Sequence, residues 1–176
     1  MRLATACLAS LILAACTTTP MTTPSPAALE FVVVRHAEKA ADAGNDPPLT
    51  AEGRARADAV AHALADAPVV AVYSTGYART QATAAPTAVA HGLPVTTYDA
   101  REPAAAFATR LRAAYDGGTV LVVGHSNTVP AIAAALCRCD VPAMEETEYD
   151  RRLVVTVDAD GHARLATDRL PAAPAR

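Results

Sequence analysis

From position 29 onward the hydrophobic residues of this 176-residue chain fall into two alternating textures. Short unbroken apolar runs, such as Phe31-Val32-Val33-Val34 and Val120-Leu121-Val122-Val123, have the length and β-branched content of strands buried on both faces. Between them lie alanine-rich stretches with apolar residues at helical spacing, as in Ala57, Val60, Ala61 and Leu64. The pattern predicts strands over 30–35, 69–74, 94–98, 119–124, 153–158 and 162–168. The first predicted helix starts from Thr50 as N-cap, with Glu52 in its first turn, and runs to about 67. The second runs from about 78 to His91-Gly92, with Pro86 kinking or splitting it. A third covers roughly 102–116, and a fourth runs from after Asn127 to near Arg138. Asp158-Ala159-Asp160-Gly161 reads as the turn of a closing hairpin. Such alternation makes a three-layer α/β sandwich with a mostly parallel central sheet. Neither a repeat nor a second domain is visible.

Ahead of position 29 the texture changes. Arg2 and the apolar stretch Leu3 to Leu13, too short to span a bilayer, have the form of an export signal. The signal ends in Leu13-Ala14-Ala15-Cys16, which resembles a bacterial lipobox. That resemblance implies a signal peptide over 1–15, cleavage before Cys16 and lipid on its thiol and new amino group. Thr17 after the cysteine favours the outer membrane in a diderm cell, facing the periplasm. Residues 16–28 then form a Thr/Pro-rich tether, extended because of its prolines, and 29–176 form the domain. A net charge of -3 with no basic stripe gives no reason to expect nucleic acid. With 52% apolar and 19% charged residues, no Trp and two Phe, helices pack through alanine and the strands supply much of the core.

Two of the apolar runs end in a histidine. Arg35-His36-Ala37-Glu38-Lys39 follows the first, and Gly124-His125-Ser126 ends the run from Val120. Strands of an open parallel sheet bring such residues to the carboxyl edge, where ligands bind. Arg35 and Arg79 offer planar forks suited to phosphate oxygens. A neutral His36 is a nucleophile towards phosphorus, adjacent arginines favour that neutral form, and an acceptor on the other ring nitrogen would fix the tautomer. His125 would donate to the phosphoryl oxygens. Ser74 to Arg79 lies at a strand-to-helix junction, whose free N–H groups suit an anion. Zinc held by His36, Glu38 and His125 is the competing arrangement, and two arginines in one pocket oppose it.

Together, Arg35-His36-Ala37-Glu38-Lys39, Leu49-Thr50-Ala51-Glu52-Gly53, Tyr73 to Thr80 and Gly124-His125 resemble the histidine phosphatase (phosphoglycerate mutase-like) superfamily over about residues 30–170. The resemblance implies His36 as nucleophile, Arg35 and Arg79 as phosphate ligands, His125 as the second histidine, and neither metal nor other cofactor. It implies a hydrolase of phosphomonoesters acting through phospho-His36, with a small phosphorylated substrate as its partner. A protein phosphohistidine phosphatase is the nearer alternative, and a catalytically silent anion-binding envelope lipoprotein the more distant one. A glycolytic mutase needs a cytosolic substrate and a closing cap, for which the short chain has little room.

The chain departs from the family pattern at the acid that protonates the leaving group. Ser126 follows His125 where the phytase-like branch has aspartate. In the mutase-like position stand Glu102, taken here as the acid, and Asp99 as its alternative. Asn127 either touches substrate or caps the fourth helix, capping being preferred. Glu38 and Lys39 rim the expected pocket, while Glu145-Glu146 and Glu148-Tyr149-Asp150-Arg151 read as a solvated turn. His62 and His162 have no partner motif. Cys137 and Cys139 would close a strained loop and point apart on a helix, so nothing is built on them.

Overall fold

The computed structural model describes residues 28–41 and 44–170. The expected signal peptide, Cys16 and nearly all of the tether lie outside these residues. Six strands form one sheet in the order β3-β2-β4-β1-β5-β6. They are β1 (Leu29–Arg35), β2 (Val69–Thr75), β3 (Val95–Tyr98), β4 (Gly118–Gly124), β5 (Arg151–Val157) and β6 (Ala163–Arg169). The first four are mutually parallel, and β5 and β6 run antiparallel beside β1. The helices are α1 (Ala51–Ala63), α2 (Ala78–Ala90), α3 (Ala104–Ala114) and α4 (Val129–Cys137).

Alternation along the central strands decides the layers. Phe31 and Val33 of β1, with Val120 and Val122 of β4, join Phe107 and Leu111 of α3 and Ile132 and Leu136 of α4 in one core. Val32 and Val34, with Leu121 and Val123, point the other way onto Val60 of α1 and Ala84 and Ala88 of α2. Helices therefore cover both faces, and β1 and β4 read as continuous apolar runs because both their faces are buried. The three-layer expectation holds.

Helix ends follow local chemistry. Thr50 caps α1, its side chain accepting from the Gly53 N–H. Gly53 also lets α1 approach the segment after β1, since a Cβ there would collide with the Glu38 carbonyl oxygen. Three points in the helices correct the sequence reading, while the ends of α2 and the carboxyl end of α4 fall where expected. α1 stops at Ala63, short of Pro68. Pro86 does not split α2, which continues through it. α3 starts only after Pro103, leaving Glu102 outside the helix. α4 ends at Arg138, whose left-handed φ of 56° turns the chain out of the helix. Because of that turn, Cys137 and Cys139 do not point apart: they form a disulfide, with Cα atoms 5.2 Å apart.

Candidate active site

β1 and β4 are neighbours in register, with Arg35 opposite Gly124, and the ladder continues one step as His36 N donates to Gly124 O at 2.9 Å. This pairing delivers both histidines to the carboxyl edge of the sheet. Their ring centroids lie 5.4 Å apart at an interplanar angle of 67°. Gly124 permits the close turn between them and α4: a Cβ there would lie 2.8 Å from Thr128 Oγ1 and 2.9 Å from Tyr98 Oη.

His36 is 3% exposed. Its Nδ1 lies 2.8 Å from the Ala37 carbonyl oxygen, which can only accept, so Nδ1 carries the proton and Nε2 keeps its lone pair. Burial, reinforced by Arg35, His125 and Arg79 against the hydrogen bond to Ala37, lowers its pKa to about 4. The arginines therefore act in the expected direction, but desolvation is the larger cause. His125 is lowered to about 4 in the same way, by burial first and then Arg79 and Arg35. Its Nε2 lies 3.0 Å from Thr75 Oγ1, itself 2.8 Å from Thr80 Oγ1, and the Tyr77 ring meets its edge at 5.2 Å.

Arg35 is 2% exposed. Its Nη1 donates to the carbonyls of Glu145, Glu146 and Glu148, and its Nη2 donates to Glu146 Oε2 at 3.0 Å. The guanidinium also lies 4.2 Å from the centroid of the Tyr149 ring. Arg79, at the start of α2, stacks over Tyr77 at 4.5 Å and pairs with Asp46 at 3.5 Å. The Nε of each arginine is buried without a hydrogen-bond partner among the described residues. Arg35, His36, Lys39, Arg79 and His125 line one cleft of about 520 Å³ with Tyr77, Arg101, Ser126, Asn127 and Glu146. A larger groove of about 630 Å³ between α1 and α2 is lined mostly by alanines with Pro86 and Val89, and includes neither histidine.

Several expected participants lie elsewhere. Glu102 does not line the cleft; it pairs with Arg110 at 2.7 Å, a helix position that draws its carboxylate aside. Asp99 is absent from the lining too, accepting from the Arg101 backbone N–H at 2.9 Å. Asn127 lines the cleft and is exposed, but it does not cap α4. Thr128 is the N-cap, its Oγ1 accepting from His125 N instead of the helix. Of the expected rim, Lys39 lines the cleft whereas Glu38 turns to Arg56, both its oxygens bonding the Arg56 Nε. Among the described residues no group of three or more His, Cys, Asp and Glu side chains is placed to hold a metal ion.

The segment taken for a solvated turn belongs to the site. Glu146 lines the cleft and accepts from Ser126 Oγ at 2.5 Å. That hydrogen bond, with Arg35, His36 and Lys39 nearby, holds its carboxyl below the usual range. The pairing explains why: β5 enters antiparallel beside β1, so the chain just before it must pass the edge where β1 ends.

Residues 31–102 match the family model described as the histidine phosphatase superfamily (branch 1). Among curated proteins none matches the chain. Among solved structures, the protein histidine phosphatase SixA complexed with tungstate aligns with a TM-score of 0.64 at 21% identity, over 80% of this chain and 96% of that one. A putative phosphohistidine phosphatase SixA from Nakamurella multipartitia aligns at 0.62 and 25% identity, over 84% and 99%. A mycobacterial glucosyl-3-phosphoglycerate phosphatase in complex with VO3 aligns at 0.61 and 18% identity, over 79% and 97%. The fold of this chain is the histidine phosphatase fold.

Proposed function

We propose that this protein is a phosphatase that hydrolyses phosphomonoesters through a phosphohistidine on His36, anchored outside the cytoplasm by lipid on Cys16. The observation that carries the reading is the state of His36: a neutral imidazole with Nδ1 committed to Ala37, in a cleft shared with two arginines and a second histidine. The phosphoryl oxygens would meet Arg35, Arg79 and His125, which stabilise charge as the P–O bond weakens. His36 Nε2 attacks phosphorus, the P–O electron pair goes to the leaving oxygen, and that oxygen takes a proton to depart as the alcohol. Water then attacks the phosphohistidine and phosphate departs. The match to the histidine phosphatase model supports this class. The Cys137–Cys139 disulfide supports an exported location, since cytosolic thiols are kept reduced.

The protein phosphohistidine phosphatase reading draws on a different observation. Glu102 and Asp99 both lie off the cleft, and a phosphohistidine, whose leaving group is an imidazole, has less need of an acid than an alkyl ester. The likeness to SixA structures accords with it.

The deciding experiment follows hydrolysis of p-nitrophenyl phosphate by the full chain and its His36→Ala variant, with mass spectrometry of phosphopeptides trapped during turnover. Expected are phosphate on His36 and at least a ~10³-fold loss in the variant. Equal turnover by the two proteins would overturn the reading and favour an anion-binding role. Anchoring is tested by Cys16→Ser, which should move the protein from the membrane fraction to the soluble one; unchanged fractionation would refute the anchor.

A further inference from the structure

An alkyl phosphate expels a strongly basic alkoxide, so its cleavage needs a proton donor on the leaving-group side. Neither carboxylate at the position the family resemblance indicates lines the cleft. Among the described residues, the one carboxylate in that lining is Glu146, on the segment that enters β5. We propose that Glu146 is the proton donor to the leaving oxygen, an assignment that rests on the phosphatase reading.

Position carries the argument. In-line displacement places the leaving oxygen opposite the attacking nitrogen. His36 is 3% exposed at the floor of the cleft, whereas the Glu146 side chain is 80% exposed and stands towards its mouth. The line from Nε2 through phosphorus therefore runs outward, to the side where Glu146 stands. Ser126, the residue directly after His125, holds the carboxylate there through Oγ. Arg35 holds the other oxygen, while its own Nη1 is fastened to the backbone of the same segment. Phosphate ligand and carboxylate are thus positioned by one stretch of chain.

Charge supplies the switch. In the free protein Glu146 is ionised, with Arg35, His36 and Lys39 as its charged or titratable neighbours and Ser126 as its hydrogen-bond donor. A phosphoryl group that takes Arg35 removes a cation from the carboxylate and places an anion beside it. Both changes raise its proton affinity, so the carboxylate takes up a proton from solvent as substrate binds. Because the side chain is exposed, it can leave Arg35 without unpacking anything. In the first step Nε2 of His36 forms the bond to phosphorus, and the P–O electron pair goes to the leaving oxygen, which takes the Glu146 proton. In the second, water attacks phosphorus and gives its proton back to Glu146, and the P–N electron pair returns to Nε2.

The test compares kcat/KM of the full chain for p-nitrophenyl phosphate, for a series of aryl phosphates of rising leaving-group pKa, and for glycerol 2-phosphate. Glu146→Gln and Ser126→Ala are measured beside wild type, with melting temperature and inorganic phosphate binding confirming the fold. Glu146→Gln should lose about 10²-fold or more on the alkyl ester but less than about tenfold on p-nitrophenyl phosphate. Its rates should fall steeply with leaving-group pKa where wild type is nearly flat. Glu146→Asp, which keeps an acid of shorter reach, should recover part of the alkyl activity. A merely positional Glu146 would instead slow every ester by the same factor, and that result overturns the proposal. Wild type cleaving only aryl esters overturns it as well. If wild type shows no His36-dependent turnover of any ester, the phosphatase reading fails and this assignment fails with it.

Discussion

Acid should weaken this fold through its own histidines, and the size of the effect follows from their burial. His36 has a pKa of about 4 in the folded protein against an ordinary value of 6.5. The unfolded chain therefore binds the proton first as pH falls. Stability is complete above pH 6.5, declines between 6.5 and about 4, and loses nothing further to this group below that. Integrating between those values, one such ring costs about 2 kcal/mol on going from pH 7 to pH 4.5. His125, lowered to about 4, acts in the same window. The two are coupled, since each ring disfavours a charge on the other. The assay is urea unfolding followed by circular dichroism at both pH values, for wild type and His36→Gln. Carboxylates titrate alike in both proteins and cancel in the comparison. Wild type should lose about 2 kcal/mol more stability than the variant. Parallel losses would mean that His36 is not desolvated in the native state. The claim that the nucleophile is neutral at the mildly acidic end of the range would then lack a basis.

The same shift sets an activity profile: kcat/KM for p-nitrophenyl phosphate, corrected for substrate ionisation, should keep its value down to about pH 5, and an acid limb near 6.5 would contradict the lowered pKa. Glu38→Ala leaves the buried Arg56 without its bidentate partner and should cost about 3 kcal/mol by denaturant unfolding; Glu38→Leu with Arg56→Met should recover most of that, and an additive double variant would argue against the pair. Gly53→Ala forces α1 away from the Glu38 carbonyl and should destabilise by about 1–3 kcal/mol, with an unchanged melting curve as the refuting result. Replacing both Cys137 and Cys139 by Ser should cost less than about 2 kcal/mol, because so short a loop restricts the unfolded chain little; a collapse of the fold would show that the bridge does more than close that loop.

Periodicity revealed the sheet because β1 and β4 are buried on both faces, and a run of four apolar residues has few other uses. Thr50 was legible as a cap because its side chain answers a need of its own helix. The failures came where a partner distant in sequence decides the outcome. Glu102 looked like an acid until Arg110 claimed it. Asn127 looked like a cap until Thr128 took that position, with its hydroxyl turned to the His125 backbone. The cysteines looked incompatible with a bridge on helical geometry, and the left-handed Arg138 takes them off the helix. Glu146 was invisible for a related reason: nothing local marks a glutamate in a polar run as belonging to a cleft. Only the antiparallel entry of β5 beside β1 places it there.

The register of β1 against β4 also bears on the order of events during folding. Arg35 and Gly124 stand about 90 residues apart in the chain, yet their pairing is what brings the histidines together. Helices assemble from residues a few positions apart, whereas this seam must first close a long loop. A chain made from its amino end carries His36 well before any surface exists on which the residue can work. During refolding, turnover should return later than helical signal, and an early collapsed state should be inert however much secondary structure it holds.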